Sequence, residues 1–244
     1  TSSVVSSISQ IGMNYSYTYD SSNNVTTVNC NGMNTRYSYD GIGQLIRVDD
    51  SKDGFTWTYS YDRGGNILSK CKYPYSTGIL GTPLETKVFS YTDTNWKDKL
   101  TSYDGRAITY DAIGNPLNDG TWTYTWAAGR QLAQMEKTGT MIQYKYDVKG
   151  LRTSKTINGS VTEYYMYNKM ITHMKSGSNQ LHFFYDAQRR PIFVKYNNDY
   201  YAYLYNMQGD VVAILDSTNA FVVTYTYDAW GVLLGMDGSM ATTL

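Results

Sequence analysis

The sequence predicts an all-β fold in which tandem β-hairpins lie side by side in one long, coiled antiparallel strip. Its composition favours strands, because 26 Tyr, 5 Trp and 6 Phe stand against only 4 Pro, and aromatic residues prefer the pleated sheet. A short aromatic pattern recurs along the chain, with a second turn signal about halfway between its copies. Such fixed-period similarity is typical of repeat architectures, so we interpret residues 1–244 as a single repeat array.

The recurring pattern consists of two aromatic residues one position apart, an Asp directly after the second, and a Gly. In its clearest copy these are Tyr225, Tyr227, Asp228 and Gly231. Alternating rings share one face of an extended strand. The Asp is expected to bond nearby backbone N–H groups, and the Gly to take a left-handed conformation. Each copy therefore predicts a strand with one aromatic face, a reversal and a returning strand.

Eleven copies of the pattern follow one another at intervals of 16 to 30 residues. Counted by the second aromatic, they lie at Tyr19, Tyr39, Tyr61, Tyr91, Tyr110, Trp126, Tyr146, Tyr167, Tyr185, Tyr205 and Tyr227. The longest interval is rich in turn-forming residues, which predicts an inserted loop near 72–84. The second turn of each repeat is signalled by pairs that favour hairpins, among them Asn31-Gly32, Asp53-Gly54, Asp119-Gly120, Asn158-Gly159 and Ser176-Gly177.

These repeats imply about 22 strands, and a sheet this wide twists and curls. We therefore expect the aromatic face to turn inward, and the terminal strands to fray or to pair with another molecule. Several copies depart from the pattern, and the copy at Tyr19 has Asn23 where Gly is expected. The copy at Trp126 lacks the Asp, the copy at Tyr167 lacks both Asp and Gly, and Arg189 stands where the next copy should have Gly.

Charge and hydropathy exclude several classes of partner. Lys and Arg equal Asp and Glu at 21 each, so no excess charge favours nucleic acid or an anionic membrane. The longest aliphatic run, Val211 to Leu215, is far shorter than the roughly 20 residues that span a bilayer. No initiator Met or signal-peptide core precedes Thr1, which predicts an excised or processed fragment.

The two cysteines are expected to be free, buried thiols. Cys30 and Cys71 lie about two repeats apart, which places them roughly 19 Å apart in a simple meander. A disulfide needs Cα atoms within about 7 Å.

No residue pattern favours catalysis, a cofactor or a metal. In the seven Tyr-Asp pairs whose Asp opens a repeat turn, the Asp is expected to cap that turn. His173 and His182 have no Cys or acidic residue at ligand spacing. Residues 20–24 resemble the start of a calcium loop but lack its closing Gly and Glu.

Asp49 and Asp50 point to opposite faces of a strand, so we interpret them as a solvated turn. No Gly-x-Ser-x-Gly motif supports a hydrolase. We predict a protein that is not an enzyme, without catalytic, cofactor-binding or metal-binding residues.

The alternating tyrosines leave a second function open, because amphipathic rings can stack on sugars. Burial against neighbouring strands is the competing interpretation. The exposure of Tyr37, Tyr39, Tyr59 and Tyr61 distinguishes the two, since fully buried rings would leave an adhesion module without its surface.

The repeats resemble the YD repeats of bacterial Rhs proteins, which also occur in the shell-forming subunits of insecticidal Tc toxins and in teneurins. Residues 205–216 followed by 225–231 resemble the start of the Rhs repeat-associated core region, which we assign to 200–244. The resemblance implies a coiled strip that is part of a hollow β-shell enclosing a C-terminal toxin. The self-cleavage motif Asp-Pro-x-x-Gly-Arg-Phe that ends this core in the family is not present, so neither self-cleavage nor toxicity is carried over.

What the resemblance implies for function is a non-catalytic shell fragment of a secreted or cell-surface bacterial toxin. Its expected partners are a polypeptide cargo of the same parent chain and flanking repeats. Self-association through exposed edge strands is a further expectation. Because the family also includes surface and adhesion proteins, carbohydrate binding is kept as the alternative.

Overall fold

A computed structural model describes residues 4–244, and within that range the chain consists of β-strands and turns. The all-β prediction is thereby confirmed. The strands form two compact units that divide between Ile108 and Thr109. Within the described range, no residue belongs to a helix that could span a membrane.

The first unit is a ten-stranded antiparallel sheet in which each strand pairs with its neighbours along the chain. Its strands are β1 (Ser7–Gln10), β2 (Met13–Tyr19), β3 (Val25–Cys30), β4 (Met33–Tyr39), β5 (Leu45–Asp50), β6 (Phe55–Tyr61), β7 (Ile67–Pro74), β8 (Glu85–Ser90), β9 (Ser102–Tyr103) and β10 (Arg106–Ala107). A loop, residues 75–84, connects β7 to β8.

The second unit is a fourteen-stranded antiparallel sheet of the same meander type. Its strands are β11 (Thr109–Tyr110), β12 (Pro116–Asn118), β13 (Thr123–Ala127), β14 (Gln131–Lys137), β15 (Thr140–Tyr146), β16 (Arg152–Ile157), β17 (Ser160–Tyr167), β18 (Met170–Ser176), β19 (Asn179–Tyr185), β20 (Pro191–Tyr196), β21 (Asp199–Tyr205), β22 (Val211–Leu215), β23 (Phe221–Tyr227) and β24 (Leu233–Asp237).

The strands thus fall into two sheets where the sequence predicts one continuous strip. The strands nearest the division, β9, β10 and β11, are only two residues long, so little backbone pairing is available there. The assignment of residues 1–244 to a single array stays a prediction.

A shift of strand register recurs just before the second aromatic of the repeat. It lies between Ser60 and Tyr61 in β6 and between Phe184 and Tyr185 in β19. The aromatic then pairs with the first residue of the returning strand, as Tyr61 does with Ile67. Such a bulge increases the local twist of a strand and re-aims its side chains.

Each unit has its own apolar core. In the first, Val48, Trp57 and Tyr59 are buried together. In the second, the core consists of Val194, Tyr201, Ile214, Val222 and Val223. The aliphatic run of β22 supplies much of the second core, because four of its five residues are buried.

Candidate functional surface of the repeats

Each repeat reverses the chain through a turn that its Asp organises. In the repeat at Tyr61, one carboxylate oxygen of Asp62 accepts the N–H groups of Gly64 at 2.8 Å and Asn66 at 2.9 Å. The amide of Asn66 donates to the other oxygen, and these bonds hold the pKa of Asp62 below its usual range. Gly65 has φ +89°, a conformation in which other residues are strained.

The same capping pattern occurs at the seven Tyr-Asp pairs that belong to the repeats, as the sequence predicts. In each, the Asp accepts backbone N–H groups from the residues two and four positions further on. The other six are Asp20, Asp40, Asp111, Asp147, Asp186 and Asp228. Their side chains are therefore structural.

In most repeats the second aromatic donates a hydrogen bond to a backbone carbonyl that precedes it in the chain, usually in the repeat before. The hydroxyl of Tyr61 donates to the backbone carbonyl of Leu45 at 2.6 Å. We call this contact the aromatic lock. It recurs from Tyr19 to Val5, Tyr39 to Val25, Trp126 to Pro116, Tyr146 to Leu132, Tyr185 to Ile171, Tyr205 to Pro191, and Tyr227 to Val211.

The lock explains which residues the repeat tolerates at the start of its returning strand. The acceptor is a backbone carbonyl, which every residue has, so Pro116 and Pro191 serve as well as Leu45. Trp126 replaces Tyr because its indole Nε1–H also donates. The lock was not predicted from the sequence, although most donors lie 14 or 16 residues after their acceptors.

The repeat tyrosines do not form a freely exposed surface. Tyr59 is only 5% exposed, and Tyr37, Tyr39 and Tyr61 are half-buried. Burial raises the pKa of the Tyr37, Tyr39 and Tyr61 hydroxyls. The hydroxyls of Tyr39 and Tyr61 are also engaged in locks. These rows therefore leave little ring surface and few hydroxyl groups for binding a sugar.

The repeat assigned to Tyr167 is built differently from the prediction. Tyr165 and Tyr167 are 47% and 68% exposed, while Tyr164 and Met166 take the half-buried positions. Met166 pairs with Ile171, which is the position of the second aromatic elsewhere. A consistent interval of 20 residues, from Tyr146 to Met166, would have indicated this register.

The turn of this repeat differs as well. Asn168 and Lys169 have φ +49° and +66°, so a two-residue turn replaces the Asp-capped one. Asn tolerates this conformation, whereas Lys does not do so readily.

The interpretation of Asp49 and Asp50 as a solvated turn is wrong for Asp49. Its side chain is 7% exposed and accepts from Arg47 Nε at 2.7 Å and from Thr56 Oγ1 at 3.0 Å. Asp50, the last residue of β5, caps the following turn by accepting the N–H of Lys52.

Asp49 is buried because the loop 75–84 folds over this part of the sheet. Arg47 donates to the carbonyls of Ser76 at 2.6 Å and Gly78 at 3.0 Å. Thr56 Oγ1 also accepts the N–H of Ser76 at 3.1 Å. We call Arg47, Asp49 and Thr56 the loop anchor. No local sequence signal reveals it, since its partners are 20 to 31 residues away.

Both cysteines are free, as predicted, but neither is fully buried. Cys30 ends β3, and Cys71 accepts a hydrogen bond from Thr86 Oγ1 at 3.6 Å. The prediction of buried thiols fails because both lie in strands whose faces are only half covered.

The face opposite the repeat aromatics carries exposed rings in the second unit. Tyr165, Phe184, Phe193 and Tyr200 are all more than one-third exposed, and we call them the aromatic patch. Phe184 lies directly opposite Phe193, and its ring is 6.0 Å from that of Tyr200.

The remaining candidates are His173, His182 and the stretch 20–24. Residues 20–24 form an Asp-capped turn like the others. His173 and His182 lie opposite each other on β18 and β19. Among residues 4–244, no cluster of three or more His, Cys, Asp or Glu side chains is arranged to hold a metal ion.

Comparison with known proteins identifies the architecture. A family model described as Teneurin YD-shell matches residues 6–240. The tRNA nuclease WapA of Bacillus subtilis (strain 168) is 34% identical over 198 residues, which cover 78% of this chain and 8% of that protein. The tRNA3(Ser)-specific nuclease WapA of Bacillus spizizenii is 33% identical over 197 residues, with the same coverage. This chain thus spans only a small part of these relatives.

Among solved structures, the crystal structure of TcdB2-TccC3-TEV is similar, with a TM-score of 0.60 at 14% identity. The similarity covers 95% of this chain and 14% of that one. The crystal structure of TcdB2-TccC3 without its hypervariable C-terminal region matches with the same TM-score. The predicted resemblance to YD-repeat shells is confirmed, and the chain belongs to the Teneurin YD-shell family.

Proposed function

We propose that this chain is a non-catalytic wall segment of a YD-repeat shell that encloses a polypeptide cargo. The cargo would be a toxin domain of the same parent chain, and the parent would be secreted or displayed on the bacterial surface. The family match over residues 6–240 supports a shell-like structural role. The observation that carries the proposal is the series of aromatic locks, because it ties successive repeats together beyond their backbone pairing.

A wall needs stiffness along the direction in which its strands succeed one another. Backbone pairing supplies part of it. Each lock adds a hydrogen bond between repeats, worth about 1 kcal/mol. Each Asp-capped turn satisfies backbone N–H groups that would otherwise need water. The half-buried aromatic rows add an apolar layer that suits contact with an unfolded chain.

The names of the WapA relatives bear on the cargo. They are described as tRNA nucleases, and the aligned repeats make up 8% of two of them. We infer that nuclease activity of that kind belongs to a part of the protein other than the repeats. The Asp residues of the repeat turns act as caps, as Asp62 does, and Asp49 belongs to the loop anchor, which supports a structural role for them.

Protection of the cargo from protease tests the proposal. The full gene product, in which a cargo domain would follow the repeats, is compared with its isolated C-terminal domain under limiting protease. We expect the cargo to be cleaved much more slowly when the repeats are present. Cargo that is cleaved equally fast in both forms would refute enclosure.

A matched pair of variants links protection to the wall. Tyr205→Phe with Tyr227→Phe removes two locks, so the wall should open more often and the cargo should be cleaved faster. Tyr167→Phe changes an exposed tyrosine that makes no lock and should leave the rate unchanged.

Carbohydrate binding is the second candidate, and the aromatic patch favours it. The repeat tyrosines first considered for this role are half-buried, but Tyr165 and Tyr200 present exposed rings. Rings of this kind stack well on sugars. A glycan array probed with the chain and with its Tyr200→Ala variant tests this candidate. Binding that survives Tyr200→Ala unchanged, or no binding at all, would remove it.

A further inference from the structure

Two histidines face each other across neighbouring strands of the second unit. His173 of β18 is in register with His182 of β19, so their side chains lie on the same face. Their Nδ1 atoms are 3.2 Å apart and their ring centroids 4.2 Å. His182 is exposed and His173 half-buried, which leaves the pair accessible from solvent.

We propose that His173 and His182 form a site for a divalent transition-metal cation of the zinc type, bound through the two Nδ1 atoms. This inference goes beyond the proposed shell function, and it departs from the expectation that the chain has no metal site. Water would complete the coordination, because only two protein ligands converge.

The separation of the two nitrogens fits this ligation. Zinc binds histidine nitrogen at about 2.0–2.1 Å, and two such ligands at a tetrahedral angle lie about 3.3 Å apart. The observed 3.2 Å between the two nitrogens matches this separation. Because the ring centroids are only 4.2 Å apart, the rings must turn about their side-chain bonds to aim both nitrogens at one ion, which the accessible face permits. Without a metal, the same distance suits a hydrogen bond in which one Nδ1–H donates to the other Nδ1.

Charged groups on the neighbouring strands set the affinity. Lys195 of β20 lies directly opposite His182 and opposes a bound cation. Glu163 of β17 accepts from the hydroxyl of Tyr165 at 3.1 Å, and the Tyr165 ring is 5.1 Å from that of His173. Lys175 lies opposite Glu163. Imidazole ligands select zinc, copper and nickel over magnesium or calcium.

Calorimetric titration with Zn²⁺ at pH 7.5 tests the site. We expect one ion per chain in the unaltered protein. Affinity should be at least about tenfold lower in His173→Gln and in His182→Gln, since even indirect changes around a metal cost about that much. Lys195→Gln should bind more tightly than the unaltered protein, because a neighbouring positive charge is removed. Mg²⁺ should not bind.

The competing zinc ligands in the chain are its thiols, so the matched control is Cys30→Ser with Cys71→Ser. This double variant should bind Zn²⁺ as the unaltered protein does. The two histidine variants are expected to fold, which circular dichroism checks, because their side chains lie on an accessible face. Zinc affinity that is unchanged in both histidine variants, or that disappears in the double cysteine variant, would overturn the proposal.

Discussion

Two stretches of the molecule present the face opposite the repeat aromatics in different ways. Across β5 to β7, the loop 75–84 covers this face and buries Asp49. Across β17 to β21, the same face is open and carries the aromatic patch together with His173 and His182. We call these the covered stretch and the open stretch.

The difference shows that the repeat keeps its structural contacts constant, while the side chains of the opposite face vary. The lock and the capped turn recur in both stretches, as at Tyr61 and Tyr185. Side chains on the opposite face are free to differ, because neither the lock nor the turn uses them. In the covered stretch they hold the chain's own loop, and in the open stretch they remain available to solvent.

Removing the loop anchor should have the largest effect, because it would turn the covered stretch into an open one. Asp49→Ala leaves the Arg47 guanidinium and the Thr56 hydroxyl without their carboxylate. Breaking a buried ion pair in this way costs about 3 kcal/mol. We expect this loss in urea unfolding, together with faster protease cleavage within 75–84.

The matched control is Lys87→Gln. Lys87 pairs with Glu85 and Asp104 at the surface, where ion pairs contribute little, so the unfolding midpoint should hardly move. A loop that stays equally resistant to protease in Asp49→Ala would show that the anchor does not hold it.

Removing a single lock should have a smaller effect than removing the loop anchor. Tyr61→Phe in the covered stretch removes the hydroxyl bonded to Leu45 O, which should cost about 1 kcal/mol of unfolding free energy. Tyr167→Phe in the open stretch removes an exposed hydroxyl that makes no lock and should change almost nothing. Equal losses in the two variants would mean that the lock contributes no stability.

Much of the fold can be predicted from the sequence because its signals are local. Asp and Gly specify their turn within five residues, and alternating rings specify a strand face. The order of the strands follows, since short turns make successive strands neighbours. The division into two sheets is harder to predict from the sequence, because it depends on the short lengths of β9, β10 and β11.

Contacts between distant residues were harder to predict. Asp49 was misassigned because its burial depends on Ser76 and Gly78, far along the chain. The pairing of His173 with His182 follows from a two-residue turn between Ser176 and Asn179. The Ser176-Gly177 pair predicts a turn here but does not specify which residues it joins. Around Met166, the neighbouring tyrosines fit the alternating aromatic pattern in two strand registers. The 20-residue interval of the repeat selects the register that the structure has.

The smallest effect concerns the turn position that Gly65 occupies in the covered stretch and Arg189 in the open stretch. Both are left-handed, with φ +89° and +64°. This conformation costs an L-residue about 1–2 kcal/mol, whereas Gly loses about 0.5–1 kcal/mol more chain entropy on folding. Arg189→Gly should therefore stabilise the protein by roughly 0.5 kcal/mol, measured by urea unfolding.

The reverse exchange, Gly65→Arg, should destabilise the protein, because the arginine would be held in the strained left-handed conformation and its Cβ would lie 3.3 Å from Gln44 Nε2. If Arg189→Gly were destabilising instead, contacts of the Arg189 side chain would have to outweigh the backbone strain, and the open stretch would be less permissive than its exposure indicates.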